Sequence, residues 1–345
     1  MDISVVCPFY NEASILEHAV RTLLSRLNSL EGEWELIIVN DGSTDGSADI
    51  ASRLAHEYPW LRVLGYRYNR GRGYALRTGI AAAKGDIIVT TEIDLSWGDD
   101  IVQELVEEMR AHPDCDIVVA SPHLPGGGYR NVPPKRVWLS RIGNRVIRAC
   151  MSNAATMNTG MTRAYRRDTI QIMPLLEDGK EFHLEVLLKA TEFGMHIREI
   201  PAWLEWKEYK HEGRRVKRKS SSRVKRLIMS HSLFSLFANP VRYVWAASLM
   251  SLGLGGLCIV AAAILKYMLH MVAAYTALLG FSLIIVGSVL FVLGVVVRQG
   301  NMIQRELWVV QRNQIAQQKL EAESRPSTEG QASGPSAVGR AARTA

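Results

Sequence analysis

Five short runs rich in Val and Ile punctuate the first part of the chain: Ile3 to Cys7, Trp34 to Val39, Leu61 to Tyr66, Asp86 to Thr91 and Asp116 to Ala120. Each is bounded by Pro, Gly, Asn or Asp, and each predicts a strand. Between the first two, Ile15, Leu16, Ala19, Val20, Leu23, Leu24 and Leu27 recur at helical spacing; Ile101, Val102, Leu105, Val106 and Met109 repeat the pattern later. Strand followed by helix, repeated, predicts an α/β fold with a mostly parallel sheet covered on both faces. In such sheets ligands lie beyond the carboxyl ends of the strands.

The pattern changes near the carboxyl end. No charge interrupts Tyr243 to Leu265 or Tyr275 to Val297, 23 positions each. At about 1.5 Å per residue either run is long enough to cross a hydrocarbon layer of about 30 Å. With only Lys266 to Ala274 between them, the runs predict a C-terminal two-helix transmembrane hairpin within residues 242–298; a buried hairpin of a soluble protein is the alternative. Arg242 precedes the hairpin and Arg298, Arg305 and Arg312 follow it, whereas the connecting loop offers Lys266 alone. The excess of basic residues on the outer ends predicts both termini in the cytoplasm. Met1 leads straight into a strand-like run, so no signal peptide is expected and the N-terminal part should stay cytosolic. Residues 299–323 read as a polar helix, and 324–345, rich in Ser, Gly, Pro and Ala, as a disordered tail.

Composition agrees with this division. The 345 residues are 48% hydrophobic and 22% charged, too apolar for a disordered chain. The net charge of +7 is concentrated: Lys207 to Arg226 carries +8, which leaves −1 for everything else. A nucleic-acid binder would spread basic charge over a folded face. A polybasic stretch just upstream of an uncharged span suits anionic headgroups instead, the alternative being a solvated linker. Cys7, Cys115, Cys150 and Cys258 stand far apart without metal-ligand spacing, which argues against a disulfide framework or a zinc site.

The residues directly after the strands are polar. Pro8-Phe9-Tyr10-Asn11-Glu12 follows the first, Asn40-Asp41-Gly42-Ser43-Thr44-Asp45 the second, Asn69-Arg70-Gly71-Arg72-Gly73 the third and Glu92-Ile93-Asp94 the fourth. Converging on one crevice, such acids and bases suit a nucleotide whose diphosphate needs a cation. Each piece has a plainer reading: Asp41 to Asp45 as a turn into a helix cap, Glu92 and Asp94 as surface acids. Gly71-Arg72-Gly73 makes a poor dinucleotide fingerprint because Leu76 stands at the last glycine position. Carboxylates at i and i+2 of an extended segment point the same way, so Glu92 and Asp94 can meet one hard cation.

Together these segments, with Arg163-Ala164-Tyr165-Arg166-Arg167, resemble the family 2 inverting glycosyltransferases of GT-A fold, in the branch of dolichyl-phosphate mannose synthase and other polyprenyl-phosphate glycosyltransferases. The likeness runs from Ile3 to about Lys225. It implies a GT-A domain over 1–220 and an amphipathic juxtamembrane segment over 221–241 before the hairpin. It also implies nucleotide-sugar binding by Pro8, Tyr10, Asn11, Glu12, Asp41, Arg72, Glu92 and Ile93, and Mg²⁺ or Mn²⁺ on Asp94 and Glu92. The pattern departs from the family at Glu92, where Asp is usual, at Arg72, where Lys is usual, and at Ala120-Ser121-Pro122, where Gly-Ser-Arg is frequent. On the acceptor side, Arg136, Arg141, Arg145 and Arg148 interleave with Trp138, Leu139, Ile142 and Val146, an amphipathic basic helix suited to the headgroup layer or simply packed on the domain. The resemblance puts Arg136 and Ser140 near the acceptor phosphate, with Arg163 and Lys207 as further candidates.

The implied reaction is inverting, metal-dependent transfer of a sugar from a nucleoside-diphosphate sugar, GDP-mannose or a UDP-hexose, to a polyprenyl phosphate at the cytoplasmic membrane face; a homo-oligomer is one state open to such a chain, and no nucleic-acid partner is expected. Asp94, Arg136, Ser140, Arg163 and Lys207 are the candidate catalytic residues. A processive polysaccharide synthase of the same fold is one rival, although its Gln-x-x-Arg-Trp motif and additional spans are missing from this sequence. A catalytically inactive, membrane-tethered nucleotide-sugar scaffold is another.

Overall fold

The computed structural model describes residues 1–150, 155–206, 210–211, 214–215, 240–268, 270 and 273–324. Lys207, most of the polybasic stretch, the juxtamembrane residues 221–239 and the tail 325–345 lie outside the described residues. All five expected strands are present: β1 (Ile3–Phe9), β2 (Trp34–Asn40), β3 (Leu61–Gly65), β4 (Ile87–Thr90) and β5 (Ile117–Ser121). They alternate with α1 (Leu16–Leu27), α2 (Ser47–Glu57), α3 (Arg72–Ala82) and α4 (Ile101–Ala111). A short β6 (Gly128–Arg130) and α5 (Pro134–Cys150) follow, then β7 (Arg163–Arg166), α6 (Arg167–Ile170), α7 (Phe182–Glu192), β8 (Ile197–Pro201) and β9 (Trp203–Glu205).

The main sheet runs in the order β3-β2-β1-β4-β7-β5-β8. Strands β1 to β4 are parallel, β5 pairs parallel to β8, and β7 lies antiparallel between β4 and β5. That antiparallel insertion was not visible in the hydropathy, because Arg163-Ala164-Tyr165-Arg166 shows no apolar run. The central strands are buried on both faces, as continuous Val, Ile and Leu runs require. A separate pair, β6 with β9, lies beyond the edge of the main sheet and carries the chain towards α5.

Two apolar helices complete the described chain: α8 (Pro240–Met268) and α9 (Ala274–Ser324). Tyr243–Met268 and Ala274–Gly300 are long and apolar enough to cross a membrane, and they are largely uncovered by the rest of the protein, unlike the core helices of a soluble domain. They pack on small residues. Cβ atoms at Gly255, Gly280, Gly287 and Gly294 would collide with the facing helix, and Ser248 and Ser251 donate 2.7 Å hydrogen bonds to the carbonyls of Gly287 and Leu283. Close backbone approach and interhelical hydroxyl bonds are what hold helices together in an apolar solvent. The polar helix expected over 299–323 is not a separate element. With no proline between residues 275 and 324 and Gly300 tolerated inside the turn, the second span continues for 51 residues, about 76 Å.

Candidate active site

The loops after β1 and β2 are sewn to one another. The amide of Asn11 donates to Ser43 Oγ (3.0 Å), that of Glu12 to Ser47 Oγ (2.9 Å), that of Ala13 to Asp45 (3.2 Å), and that of Thr44 to Asn11 Oδ1 (2.8 Å). Asn11 takes φ 55° to make these bonds, a left-handed conformation that Asn tolerates better than most residues. Tyr10 is left exposed at the mouth of the crevice, Glu12 is half-buried, and Pro8 stays within the sheet opposite Val39. The plain reading of Asp41 to Asp45 as a turn into a helix cap is not what the structure shows: the Ser43 and Thr44 hydroxyls meet Asn11, and α2 begins only at Ser47, after Gly46.

Asp41 requires a correction. Its carboxylate accepts from Tyr66 Oη (2.7 Å), Asn69 Nδ2 (3.0 Å) and the amides of Arg70 (2.8 Å) and Gly71 (3.1 Å). Tyr66, Arg70 and Gly71 all meet Oδ1, and Oδ2 takes Asn69 together with a share of the Gly71 amide at 3.2 Å. Asp41 therefore organises the loop that carries Arg70 and Arg72, a structural part that its expected place among the nucleotide contacts did not include. Tyr66 is partly buried against it, and that burial, with the hydrogen bond to Asp41 and its charge, pushes the phenol pKa up.

At the fourth strand end Glu92 is partly exposed, Ile93 is buried, and Asp94 is 4% exposed. Arg72 Nη1 stands 3.4 Å from Glu92 Oε1, and Ser96 Oγ donates to Glu92 Oε2 (2.7 Å). The Ser96 amide donates to Asp94 Oδ1 (3.0 Å), and Leu95 between them takes φ 53°. A left-handed leucine costs roughly 1–2 kcal/mol, so the carboxylate arrangement is held by its surroundings at the expense of local strain. Among the described residues no group of three His, Cys, Asp or Glu could hold a metal on its own. Two carboxylates and a hydroxyl are nonetheless a fitting set for Mg²⁺ or Mn²⁺, hard ions of which Mg²⁺ commonly keeps one or two carboxylates and takes its other oxygens from water and a diphosphate.

Sequence reasoning missed what closes the other side. The segment between α6 and α7 folds over the start of α3: the carbonyl of Asp178 accepts from the amides of Gly73 (2.8 Å) and Tyr74 (3.2 Å). Only glycine fits beneath it, because a Cβ on Gly71 or Gly73 would lie 2.5 Å from a carbonyl oxygen of that segment, and Gly71 has φ 101°. Glu185, buried on α7, holds the segment by accepting from the amides of Leu176 (2.9 Å) and Glu177 (2.9 Å) and from Lys189 Nζ (2.7 Å). The segment sets Lys180 beside the Arg72 and Glu92 charges; burial and then Arg72 lower the Lys180 pKa, against the pull of Glu181 and Glu92. An acid inside the apolar run Phe182 to Leu188 was the one available signal for Glu185. For Lys180 there was none. Lys180→Ala is expected to weaken nucleotide binding about tenfold, read by titration calorimetry, with thermal stability unchanged.

The acceptor-side residues divide. Arg136 stacks over Trp206 at 4.3 Å, and Ser140, one turn further along α5, meets Tyr129 Oη (3.2 Å). Arg163 does not join them. Its side chain is wholly buried, donating to the carbonyls of His183 (2.8 Å) and Asn158 (2.8 Å), and burial lowers its pKa. Its connection to the site is indirect: the Asn158 amide donates to Asn144 Oδ1 (2.7 Å), and Asn144 Nδ2 donates to the Ser140 carbonyl (2.9 Å). Arg163 is thus a core strut behind α5, not a phosphate contact.

A mostly parallel sheet with one antiparallel strand inserted, helices between its strands and polar strand ends is a GT-A-like α/β fold. Solved structures share that fold: glucosyl-3-phosphoglycerate synthase from Mycobacterium tuberculosis, in complex with Mn²⁺, uridine diphosphate and phosphoglyceric acid, aligns with a TM-score of 0.51 at 19% identity, covering 68% of this chain and 78% of that one. Residues 4–172 match the model for Glycosyl transferase family 2. Undecaprenyl-phosphate mannosyltransferase of Micrococcus luteus is 30% identical over 207 residues, 58% of this chain and 82% of that protein. Glycosyltransferase AglD of Haloferax volcanii is 30% identical over 207 residues, and undecaprenyl-phosphate 4-deoxy-4-formamido-L-arabinose transferase of Pseudomonas fluorescens 29% over 201. The match spans about a third of the former (32%) and just over half of the latter (56%). The chain belongs to glycosyl transferase family 2, and its curated relatives support the polyprenyl-phosphate branch.

Proposed function

We propose that the protein transfers a sugar from a nucleoside-diphosphate sugar to a polyprenyl phosphate at the cytoplasmic face of a membrane, with inversion. The observation that carries this reading is the placement of Arg72, Glu92 and Asp94 after the strands, with Lys180 brought beside them by the segment before α7, in a domain followed by two membrane-length helices. The acceptor chemistry fits a site without a dedicated base. A phosphate monoester has a second pKa near 6, so at neutral pH its oxygen is largely ionised. That oxygen attacks the anomeric carbon, the bond from carbon to the diphosphate oxygen breaks, and the electron pair leaves on the nucleoside diphosphate. No proton has to move. Burial and then Arg141 lower the pKa of His123, the histidine near Ser140, against the pull of Glu199.

The protein's work is then electrostatic and positional. Glu92 and Asp94 would hold Mg²⁺ or Mn²⁺, which when bound stabilises the departing diphosphate. Arg72 and Lys180 add positive charge on the same side. Arg136 and Ser140 are suited to orient the acceptor phosphate from α5, whose Lys135, Arg136, Arg141, Arg145 and Arg148 are accompanied by no acid and whose Trp138 is exposed. Such a helix favours the anionic headgroup layer where a lipid phosphate lies.

The test is transfer of labelled sugar from a panel of GDP- and UDP-sugars to a short-chain polyprenyl phosphate by detergent-purified protein. One donor is expected to give a metal-dependent lipid-linked monosaccharide. Nucleotide binding with no turnover on any donor would favour the inactive scaffold, and a polymeric product the processive synthase.

A further inference from the structure

Helix α9 carries a feature that sugar transfer does not use. Beyond Gly300 it projects for 24 residues, about 36 Å, past the membrane-length segment, passing beside α6. Ile303, Leu307 and Val310 in this projection are 60%, 58% and 52% exposed, flanked by exposed Met302 and Val309. A helix in water normally turns such residues inward. Their spacing of four and then three places them at alternating d and a positions of a heptad, and the same register runs back through exposed Val296, Leu293, Val289, Val286 and Leu279, with the small residues Gly300 and Ser282 at the intervening a and d positions. Ahead it ends on exposed Gln314 and Gln317. The glycines that receive α8, Gly280, Gly287 and Gly294, all fall at position b, so the intramolecular contact uses a different face.

We propose that this seam is an assembly surface on which further copies of the same chain pack α9 against α9 in parallel. Lipid alone would give no reason to keep a 3.5-residue repeat in phase beyond the hydrocarbon layer. The flanks favour a self-partner. Over residues 300–320, positions e and g hold Gln304, Gln311, Gln318, Glu306, Asn313 and Leu320, so a single acid offers nothing for a differently charged partner to read. The basic residues Arg298, Arg305, Arg312 and Lys319 all fall at position f, far from the seam, where identical chains do not force them together. Leucine at a with β-branched residues at d matches bundles of more than two strands, and paired glutamines at the end of the seam would fix register. Copies inserted with one orientation in one bilayer are already parallel and concentrated.

The test uses the full chain in nanodiscs or native membranes. Leu307→Cys and Val310→Cys are each expected to give intermolecular disulfides on mild oxidation, at least tenfold above Arg312→Cys and above the unsubstituted chain. Leu307→Glu with Val310→Glu should reduce the particle mass from several copies to one while sugar transfer per chain persists. Equal crosslinking at position 312, no crosslinking at 307 and 310, or a single-copy mass for the unsubstituted chain would each overturn the proposal. None of these outcomes depends on which sugar, if any, is transferred.

Discussion

Asp94→Asn is expected to leave the fold intact and to reduce kcat for sugar transfer by about 10²–10³-fold, the scale of losing one well-placed electrostatic group in an active site. The substitution is nearly isosteric, and an amide oxygen can still accept from the Ser96 amide, the 3.0 Å bond that shapes the turn. What disappears is a buried negative charge that would hold the divalent ion against the diphosphate. Glu92→Gln should cost less, because Glu92 shares its charge with Arg72 and Ser96 and stands more in solvent. The check is initial-rate kinetics at saturating donor across a Mg²⁺ or Mn²⁺ titration, with EDTA as the lower limit. If Asp94→Asn protein keeps full metal-dependent transfer, the carboxylate pair is not the metal site.

The distinction between Asp94 and Asp41 shows where sequence reading succeeds and where it stops. Both are acids directly after a strand, and pattern alone treats them alike. The strands themselves were legible because runs such as Val5-Val6-Cys7 and Leu36-Ile37-Ile38-Val39 are buried on both faces and leave a continuous apolar trace. The crevice at their ends followed from topology. Its internal wiring did not, since the donors to Asp41 come from Tyr66, Asn69, Arg70 and Gly71, more than twenty residues away. Long-range hydrogen bonds leave no periodic signature.

The same limit explains the segment over α3. Gly71 and Gly73 were recognisable as a glycine loop, but the reason for them, a close approach by Asp178, lies a hundred positions later. Lys180 enters the site on that segment for the same reason. The two long apolar helices are the opposite case. Their signal is local composition, and helices of membrane length lie where the uncharged runs are; the break expected after Arg298 is absent because a change of polarity does not by itself end a helix.

Arg163→Ala is expected to produce the largest loss of stability of any single change considered, about 3–5 kcal/mol. Arg163 is among the largest side chains with no solvent exposure, so truncation leaves a cavity. It also removes the 2.8 Å donors to two buried carbonyls, that of His183, which keeps its place in the helical ladder of α7, and that of Asn158, which lies in a loop. A buried unpaired polar group costs about 1–3 kcal/mol, and the cavity adds to that. Arg163→Lys should restore little, because one ammonium cannot reproduce two guanidinium donors aimed at separate carbonyls. Denaturant unfolding of the full chain in detergent, followed by tryptophan fluorescence, measures the loss. Activity separates the strut from a phosphate contact. At a temperature where the variant is folded, a strut should alter kcat more than KM for the lipid acceptor, since Asn158, Asn144 and Ser140 lose alignment together. A rise confined to acceptor KM, with stability unchanged, would return Arg163 to the phosphate.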